Sequence, residues 1–321
     1  LYNSQTLFPR PENDLLPYDI AYCYFSMKDY QPAEKWFQMY AKSDKADSQR
    51  KKDAILRGAD SQFMLQKFSD AAASYSDYIA MDAAPVYPYY QAGLSYGLAG
   101  NVDKKITVLS SIPQTSWRDY YYAPAMFELG RAYEKKKKYD SASKTYLAII
   151  NTLPTSQYAP QSLLQLGMLY RGRKDDNQAL KYYCQLVESY PESEYYQSAL
   201  SQIESIYISR NNPKGYYNYV ETLKNHEAFD KEKAVYSSCY QIYETANYEG
   251  AYQAISGFLE DSPADSLAAR AHYYMGECAR RTGLSEKAAT HYKTALDSDG
   301  ASVSLKILAA KGFADISYAL Q

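Results

Sequence analysis

The chain has 321 residues, a net charge of -2 and a pI near 6.0, and 46% of its residues are hydrophobic. The near-neutral charge argues against a nucleic-acid binder, which usually carries a basic face. The sequence contains no run of apolar residues long enough to span a membrane. Tyrosine is abundant, with 38 residues, and its large ring with a polar tip suits surfaces that are both packed and hydrated.

A position occupied by a small residue in most units recurs along the chain and marks a repeating pattern. These first markers are Ala21, Ala59, Gly93, Gly130, Gly167, Glu204, Cys239 and Gly276, spaced by 38, 34, 37, 37, 37, 35 and 37 residues. A second marker follows each after twelve residues, at Ala33, Ala71, Lys105, Ala142, Ala179, Tyr216, Ala251 and Ala288. Such a period is typical of a stacked helical array. Larger residues four positions after the second marker are expected to fill the remaining space.

The stretch 163–191 shows the repeating unit most clearly. It predicts two amphipathic helices around a polar turn at 171–177, and Pro191 closes the unit. The apolar and small positions are Leu163, Leu166, Gly167 and Tyr170 on the first helix, and Ala179, Tyr183 and Leu186 on the second. These residue types at these offsets resemble the tetratricopeptide repeat, in which a small residue of the first helix meets a small residue of the second.

The resemblance implies an all-α fold, a right-handed superhelical solenoid of antiparallel helix pairs formed by residues 1–321 as a single array. The expected repeats are approximately 14–51, 52–85, 86–122, 123–159, 160–196, 197–231, 232–268 and 269–302. Residues 303–321 are expected to form a terminal helix and residues 1–13 the remnant of a preceding repeat, because Pro9 is in register with Pro154 and Pro191. We therefore expect a piece of a longer array.

Two linkers lengthen the first helix of the following unit. In residues 153–169 and 190–203, a proline is followed two residues later by serine and then by an aromatic residue. This pattern resembles the tetratricopeptide arrays of bacterial cell-envelope proteins, namely the outer-membrane assembly lipoproteins and the periplasmic partners of the Tol–Pal system. The resemblance implies a periplasmic or envelope location, while a cytoplasmic scaffold remains open.

Two units depart from the pattern. The sixth has Glu204 and Tyr216 where small residues are expected, and the third has Lys105. A bulky or charged residue at a packing point should open the helix pair or change its direction. We expect looser packing in the sixth unit.

Motifs of catalysis and metal binding are nearly absent from the sequence. Gly93-Leu-Ser95-Tyr-Gly97 matches the G-x-S-x-G motif of hydrolases, but its flanks predict one helix instead of the strand and helix that the motif needs. Three histidines and four scattered cysteines lack metal-ligand spacing, and the cysteines are expected to be small buried residues. We expect no enzyme activity, no cofactor and no metal.

The expected function is therefore binding of a protein or peptide in the concave groove that the first helices line in this family, without nucleic acid. Helical periodicity places three positions per unit in this groove. The candidate partner-binding residues are Tyr18, Tyr22, Phe25, Asp60, Phe63, Tyr90, Phe127, Arg131, Tyr236, Tyr240, Tyr243, Tyr273, Glu277 and Arg280. The aromatic residues are expected to anchor the partner and the charged ones to orient it. An alternative is a glycan-binding helical protein of the outer membrane, whose tyrosine rings would stack on sugars.

Overall fold

The structure is a computed structural model that describes residues 15–81, 84–223 and 230–319. The expected remnant of a preceding repeat, residues 1–13, lies outside the described residues. The chain divides into two compact units after Leu169. The predicted repeat boundaries stay predictions.

The described residues form seventeen α-helices and one short 3-10 turn at Gln114–Ser116, and they contain no β-strand. The first unit contains α1 Leu16–Ser26, α2 Tyr30–Ala41, α3 Ser48–Met64, α4 Phe68–Met81, α5 Val86–Leu98, α6 Val102–Ser110, α7 Tyr122–Lys135 and α8 Tyr139–Thr152. Helix α9, Tyr158–Gly172, spans the division. The second unit contains α10 Asp176–Ser189, α11 Tyr196–Ser209, α12 Pro213–Glu221, α13 Lys231–Glu244, α14 Tyr248–Leu259, α15 Asp265–Arg281, α16 Ser285–Asp297 and α17 Val303–Ala319. The prediction of an all-α fold is confirmed.

A left-handed backbone conformation recurs seven residues after every first marker. The residues with this positive φ are Lys28, Gln66, Gly100, Lys137, Lys174, Asn211, Ala246 and Gly283, with φ between 55° and 80°. Each one ends the first helix of a unit. At Lys174, for example, the N–H donates to the Arg171 carbonyl at 2.9 Å and the next N–H donates to the Tyr170 carbonyl at 2.9 Å. This is a Schellman C-cap, which closes the helix and reverses the chain for the second helix.

The first markers make room for a large side chain of the second helix. A Cβ added to Gly130 would lie 2.5 Å from the Tyr146 ring, and one added to Gly276 would lie 2.7 Å from the Tyr292 ring. Gly93 faces Leu109 in the same way. The sequence predicts that the small first marker meets the small second marker. In these three repeats the glycine instead faces the larger residue four positions after the second marker, which fills the space as predicted.

The two linkers singled out in the sequence start their helices by the same hydrogen bonds. The Ser156 hydroxyl accepts from the Tyr158 N–H at 3.3 Å, and the Ser193 hydroxyl accepts from the Tyr195 N–H at 3.2 Å. A third linker uses Asp119, whose carboxylate accepts from the Tyr121 N–H at 2.8 Å. These side chains satisfy N–H groups near the helix start that would otherwise lack partners. These hydrogen bonds hold the aromatic residue of each linker at the N-terminus of the next helix.

The third and sixth repeats both have a short second helix. Helices α6 and α12 contain 9 residues each, whereas the other second helices contain 12 to 14. The Lys105 side chain runs against Gly97, which has no side chain to obstruct it, and its ammonium pairs with Glu128 of α7. The packing of the third repeat therefore accommodates the lysine. The looser packing of the sixth repeat stays a prediction.

The four cysteines are free thiols. Cys239 and Cys278 are buried, as the sequence predicts, but Cys23 is exposed on α1 and does not serve as a core residue. In the part of the chain that the structure describes, no helix is both long and apolar enough to cross a membrane.

Candidate partner-binding surface

All fourteen candidate residues lie on the first helices of their units, on α1, α3, α5, α7, α13 and α15. Their exposure divides them into two groups. Eleven are partly or fully exposed, whereas Asp60, Phe127 and Glu277 are buried. Partner binding by any of them stays a prediction, and their surroundings show which side chains are accessible.

An open cavity of about 350 Å³ brings together three of the predicted tyrosines, Tyr236, Tyr240 and Tyr273. Tyr274 and Arg270 complete its aromatic wall and rim, and we call it the Tyr236 pocket. The floor and remaining wall come from the terminal helix and the turn before it, through Ser302, Ser304, Leu305 and Leu308. Helices α13, α15 and α17 thus combine to form a concave aromatic surface.

Ring-to-ring contacts hold the tyrosines of this pocket in place. The Tyr274 ring centroid lies 5.0 Å from that of Tyr240 and 5.2 Å from that of Tyr273, both in edge-to-face geometry. Tyr243, another predicted residue, also lies 5.0 Å from Tyr274. Edge-to-face packing is the favoured arrangement for aromatic pairs. The rings are therefore positioned before any partner arrives.

Arg270 is the one charged side chain that lines the Tyr236 pocket. It is exposed and makes no ion pair among the described residues. Sequence reasoning missed both Arg270 and Tyr274, because the assumed spacing assigned only three positions of α15 to the binding face. Burial raises the pKa of the Tyr236 hydroxyl, so this group stays neutral and can donate a hydrogen bond.

A second tyrosine-lined cavity, of about 540 Å³, lies in the first of the two compact units. Its lining includes Tyr90, Tyr120, Tyr121 and Tyr158; we call it the Tyr90 pocket. Only Tyr90 was predicted. Tyr120 and Tyr121 belong to the linker before α7, and Tyr158 is the first residue of α9. Tyr121 and Tyr158 are the aromatic residues two positions after the capping Asp119 and Ser156. The linker pattern was therefore the signal that could have identified them.

The tyrosines of α1 are committed to an internal network. The hydroxyls of Tyr18 and Tyr22 both donate to the Asp53 carboxylate of α3, the first at 2.7 Å. Their rings pack on Phe37, with Phe25 beside them. Phe63 of α3 packs on Phe68 of α4. These contacts leave only part of each ring for a partner.

Two carboxylates that were expected to orient a partner are engaged inside the protein. Asp60, 7% exposed, accepts hydrogen bonds from Tyr75 at 2.6 Å and Tyr87 at 2.7 Å, and it pairs with Arg57. Glu277, 9% exposed, accepts from Tyr292 and from Arg280 at 2.7 Å.

Burial alone would raise the pKa of Glu277, but the hydrogen bonds from Arg280 and Tyr292 lower it. Both carboxylates are thus internal anchors for tyrosines of the second helices. Arg280 also reaches the Tyr292 hydroxyl, at 3.2 Å, so its charge is directed inward as well.

Phe127 and Arg131 were both predicted to contact a partner, but Phe127 is buried, whereas Arg131 is exposed and already forms an ion pair. Phe127 is 4% exposed and packs between Tyr146 and Tyr158, so its side chain offers little surface to a partner. The Arg131 side chain is 60% exposed and pairs with Glu128, which also holds Lys105. These three charged residues line a third cavity, of about 530 Å³, in the first unit.

The catalytic and metal motifs can now be placed in the structure. Ser95 lies within α5, is fully buried, and has no hydrogen-bond partner for its hydroxyl among the described residues. It does not form the exposed strand-to-helix elbow of a hydrolase. Within the ranges that the structure describes, no group of three or more His, Cys, Asp or Glu could hold a metal ion.

Family models of the tetratricopeptide repeat match three parts of the chain. One matches residues 124–156 and 161–193, and another matches residues 243–303. The first two ranges take in α7 to α10, and the third takes in α14 to α16. These three parts of the chain therefore resemble tetratricopeptide repeats, as the marker residues predict. A comparison with curated proteins gave no match.

Several solved structures resemble the chain at low sequence identity. A tetratricopeptide repeat protein from Parabacteroides merdae is 13% identical, with 94% of this chain and 98% of that chain covered and a TM-score of 0.46. A crystal structure of MamA is 21% identical over 57% of this chain and 95% of that chain, with a TM-score of 0.46. MamA from Desulfovibrio magneticus RS-1 is 14% identical over 56% and 97%, with a TM-score of 0.45.

Proposed function

We propose that this chain is a non-catalytic scaffold that binds a protein or peptide partner through its tyrosine-lined pockets, as part of a bacterial cell-envelope assembly. Tetratricopeptide repeats commonly bind protein partners. The observation that carries the proposal is the Tyr236 pocket, an open aromatic cavity in which three residues identified from sequence converge.

The Tyr236 pocket suits a protruding side chain of a partner. Binding usually costs entropy because side chains at an interface become ordered. Here Tyr240, Tyr273 and Tyr274 already hold one another through ring contacts, so less order remains to be imposed. Tyrosine also supplies large contact area together with a polar group, which explains its enrichment in binding hot spots. Arg270 adds one charge at the rim.

The Tyr90 pocket supports the same function in the first unit. The side chain of Tyr120 is 83% exposed, and its ring lies 5.1 Å from that of Tyr121. A large ring so exposed, beside three further tyrosines, is a suitable anchor for a partner. The proposed scaffold therefore has one aromatic contact area in each compact unit.

A test of binding does not require an identified partner. Peptides selected from a displayed random library on the wild-type chain would be titrated against Tyr236→Ala combined with Tyr240→Ala. We expect the double variant to bind more weakly by at least about 1–2 kcal/mol, with unchanged helicity. The control is Tyr139→Ala, an exposed tyrosine on α8 outside both pockets. Equal affinity of the double variant would reject the Tyr236 pocket as the binding site.

The outer-membrane glycan alternative gives a different result in a parallel assay. Tyrosine rings stack on sugar faces as well as on peptide side chains, so the wild-type chain would also be applied to a glycan array. Glycan binding that is lost in the double variant, together with failure to select any peptide, would replace the proposed protein partner with a carbohydrate.

The envelope part of the proposal rests on the linkers of residues 153–169 and 190–203, whose pattern resembles that of envelope arrays. Fractionation of cells that express the full-length gene tests it. We expect the protein in the periplasmic or outer-membrane fraction. Recovery in the cytoplasmic fraction alone would overturn the location and leave the binding function to the first test.

A further inference from the structure

The Tyr90 pocket differs in charge from the Tyr236 pocket and from the third cavity. Arg270 lines the Tyr236 pocket, and five charged residues line the third cavity. The lining of the Tyr90 pocket consists of Tyr90, Tyr120, Tyr121, Tyr158, Ala123, Pro124, Ser156 and Gln157. Among the described residues, no charged side chain contributes to it. Because an unpaired charge is costly to bury, the part of a ligand that enters this pocket is uncharged.

The four tyrosines of this pocket also have free hydroxyls. In the described part of the chain, none of these hydroxyls forms a hydrogen bond. The neighbouring Tyr87, in contrast, donates its hydroxyl to Asp60 at 2.7 Å. Burial raises the pKa of Tyr90, so its hydroxyl keeps its proton. The exposed Gln157 adds an amide group. The pocket therefore offers several hydrogen-bond donors and no carboxylate to accept hydrogen bonds.

We propose that the Tyr90 pocket binds a proline-rich segment of the protein partner in the polyproline II conformation. This inference rests on the proposed function, because it names the class of peptide that one of the two tyrosine-lined pockets accepts. Proline has no N–H group, so such a segment brings no donor that needs an acceptor. Its backbone forms no internal hydrogen bonds, so its carbonyl oxygens are available to the tyrosine hydroxyls. Proline-rich segments are recognised in aromatic-lined grooves of this kind.

The orientation of the rings favours proline over a sugar. The Tyr120 ring lies at 88° to the Tyr121 ring, with centroids 5.1 Å apart, and the Tyr90 ring is tilted by 30° to Tyr121 at 5.8 Å. These rings present a ridged surface, which suits a chain with proline rings at regular intervals. A sugar stacks best on one flat face, and its hydroxyls would need acceptors that the lining lacks.

The walls of the pocket are fixed in position by contacts within the protein. The Asp119 carboxylate accepts from the Tyr121 N–H at 2.8 Å and from the Val86 N–H at 3.3 Å, which ties the linker to the start of α5. The Tyr158 ring packs on Phe127, with centroids 5.6 Å apart. A polyproline II segment is also preformed before it binds. Little entropy is therefore lost on either side of the contact.

The test uses the wild-type chain and a capped decaproline peptide as the probe. A capped glycine–serine peptide of the same length is the control, and isothermal titration calorimetry measures both. We expect saturable binding of decaproline and no binding of the control peptide, because only decaproline is preformed and free of N–H groups.

Substitutions then assign the site. Tyr120→Ala changes a side chain that is 83% exposed, so folding should tolerate it, and we expect decaproline binding to weaken at least about tenfold. Tyr90→Phe keeps the ring and removes one free donor, so a loss of about two- to tenfold is expected. Tyr139→Ala should bind decaproline like the wild type, and so should Tyr236→Ala combined with Tyr240→Ala.

Absence of decaproline binding to the wild type, or equal binding by Tyr120→Ala, would overturn this inference. The proposed function would stand in both cases if peptides selected from the random library still bound the Tyr236 pocket. It fails only if that library yields no binding peptide at all. A glycan that binds the wild type and is lost in Tyr120→Ala, without any decaproline binding, would make a carbohydrate the ligand of the Tyr90 pocket.

Discussion

The Tyr292 hydroxyl donates a hydrogen bond to the Glu277 carboxylate, which stands 15 residues earlier on the first helix of the same repeat. The same relationship occurs in the second repeat, where Tyr75 donates to Asp60 across the same 15-residue offset. Tyr183 occupies the equivalent second-helix position in the fifth repeat, but the residue 15 positions before it is Met168. Its buried hydroxyl has no hydrogen-bond partner in the part of the chain that the structure describes.

This difference predicts opposite effects of the same substitution. Tyr292→Phe removes a hydrogen bond to a charged group, so we expect the free energy of unfolding to fall by about 1.5–3 kcal/mol. Tyr183→Phe removes a buried hydroxyl without a partner, so stability should stay unchanged or rise by up to about 1 kcal/mol. Urea unfolding followed by circular dichroism measures both. Equal losses in the two variants would show that the carboxylate contributes nothing.

The Glu277 carboxylate should also make the protein sensitive to acid. Its pKa in the folded chain is below the ordinary value of 4.5, despite burial, because Arg280 and Tyr292 hydrogen-bond to the charged form. The unfolded chain therefore binds more protons in this range, and the stability that Glu277 contributes is present above pH 4.5 and lost as the pH falls through its folded pKa. Glu277→Gln should make unfolding less dependent on pH below 4.5.

Glu134 provides a control of opposite sign. Burial raises its pKa above 4.5, so the folded state favours the protonated form and the charged form destabilises it as the pH rises. Glu134→Gln should therefore increase stability at neutral pH relative to acid pH. The pH dependence of the thermal midpoint, measured for both variants, distinguishes the two carboxylates. A change of the same sign in both variants would contradict these assignments.

Glycine at a first marker is predicted to be intolerant of even one methyl group. In Gly276→Ala the new Cβ would lie 2.7 Å from the Tyr292 ring, which is itself fully buried. Overpacking of this kind typically costs about 1–3 kcal/mol. Gly257 of α14 is the matched control, because an added Cβ there meets no atom within 4 Å. Gly257→Ala should raise stability by up to about 1 kcal/mol through helix propensity. Chemical unfolding of the two variants tests the contrast.

Much of the fold could be predicted from the sequence because its period is nearly regular. The markers identified the repeat, and their spacing reappears in the left-handed residues seven positions later. These turn residues themselves could not be recognised from composition, since only Gly100 and Gly283 are glycine. In the other six, including Lys137 and Ala246, local C-cap hydrogen bonds accompany the conformation.

The candidate surface was harder to predict, because the choice of helix face depends on small rotations. Tyr236, Tyr240 and Tyr273 do line one pocket, but Phe127 on an equivalent face is buried. Charged residues were misleading for a second reason. Asp60 lies in the expected position on α3, yet tyrosines of α4 and α5 converge on it from elsewhere in the sequence.

The left-handed turn residues provide sites for stabilisation. A residue with a side chain is disfavoured in this conformation by roughly 1–2 kcal/mol, whereas glycine adopts it readily but loses more entropy on folding. Ala246→Gly should therefore raise stability by about 0.5–1 kcal/mol. Gly283→Ala, in the equivalent turn two helices later, should lower it by a similar amount. Thermal unfolding measures both variants, and destabilisation by Ala246→Gly would contradict the argument.

The sixth repeat should be the most easily opened part of the second unit. Its second helix α12 has only nine residues, and its marker positions hold Glu204 and Tyr216 instead of small residues. The Glu204 carboxylate accepts a long hydrogen bond from Tyr217, at 3.5 Å, at the position where Gly276 packs closely against Tyr292 in the eighth repeat. Regions with fewer buried apolar contacts open locally at lower free energy. Native-state hydrogen exchange should therefore show faster exchange in α12 than in α14 and α16. Equal protection across the three helices would show that Glu204 and Tyr216 pack as well as the small residues that they replace.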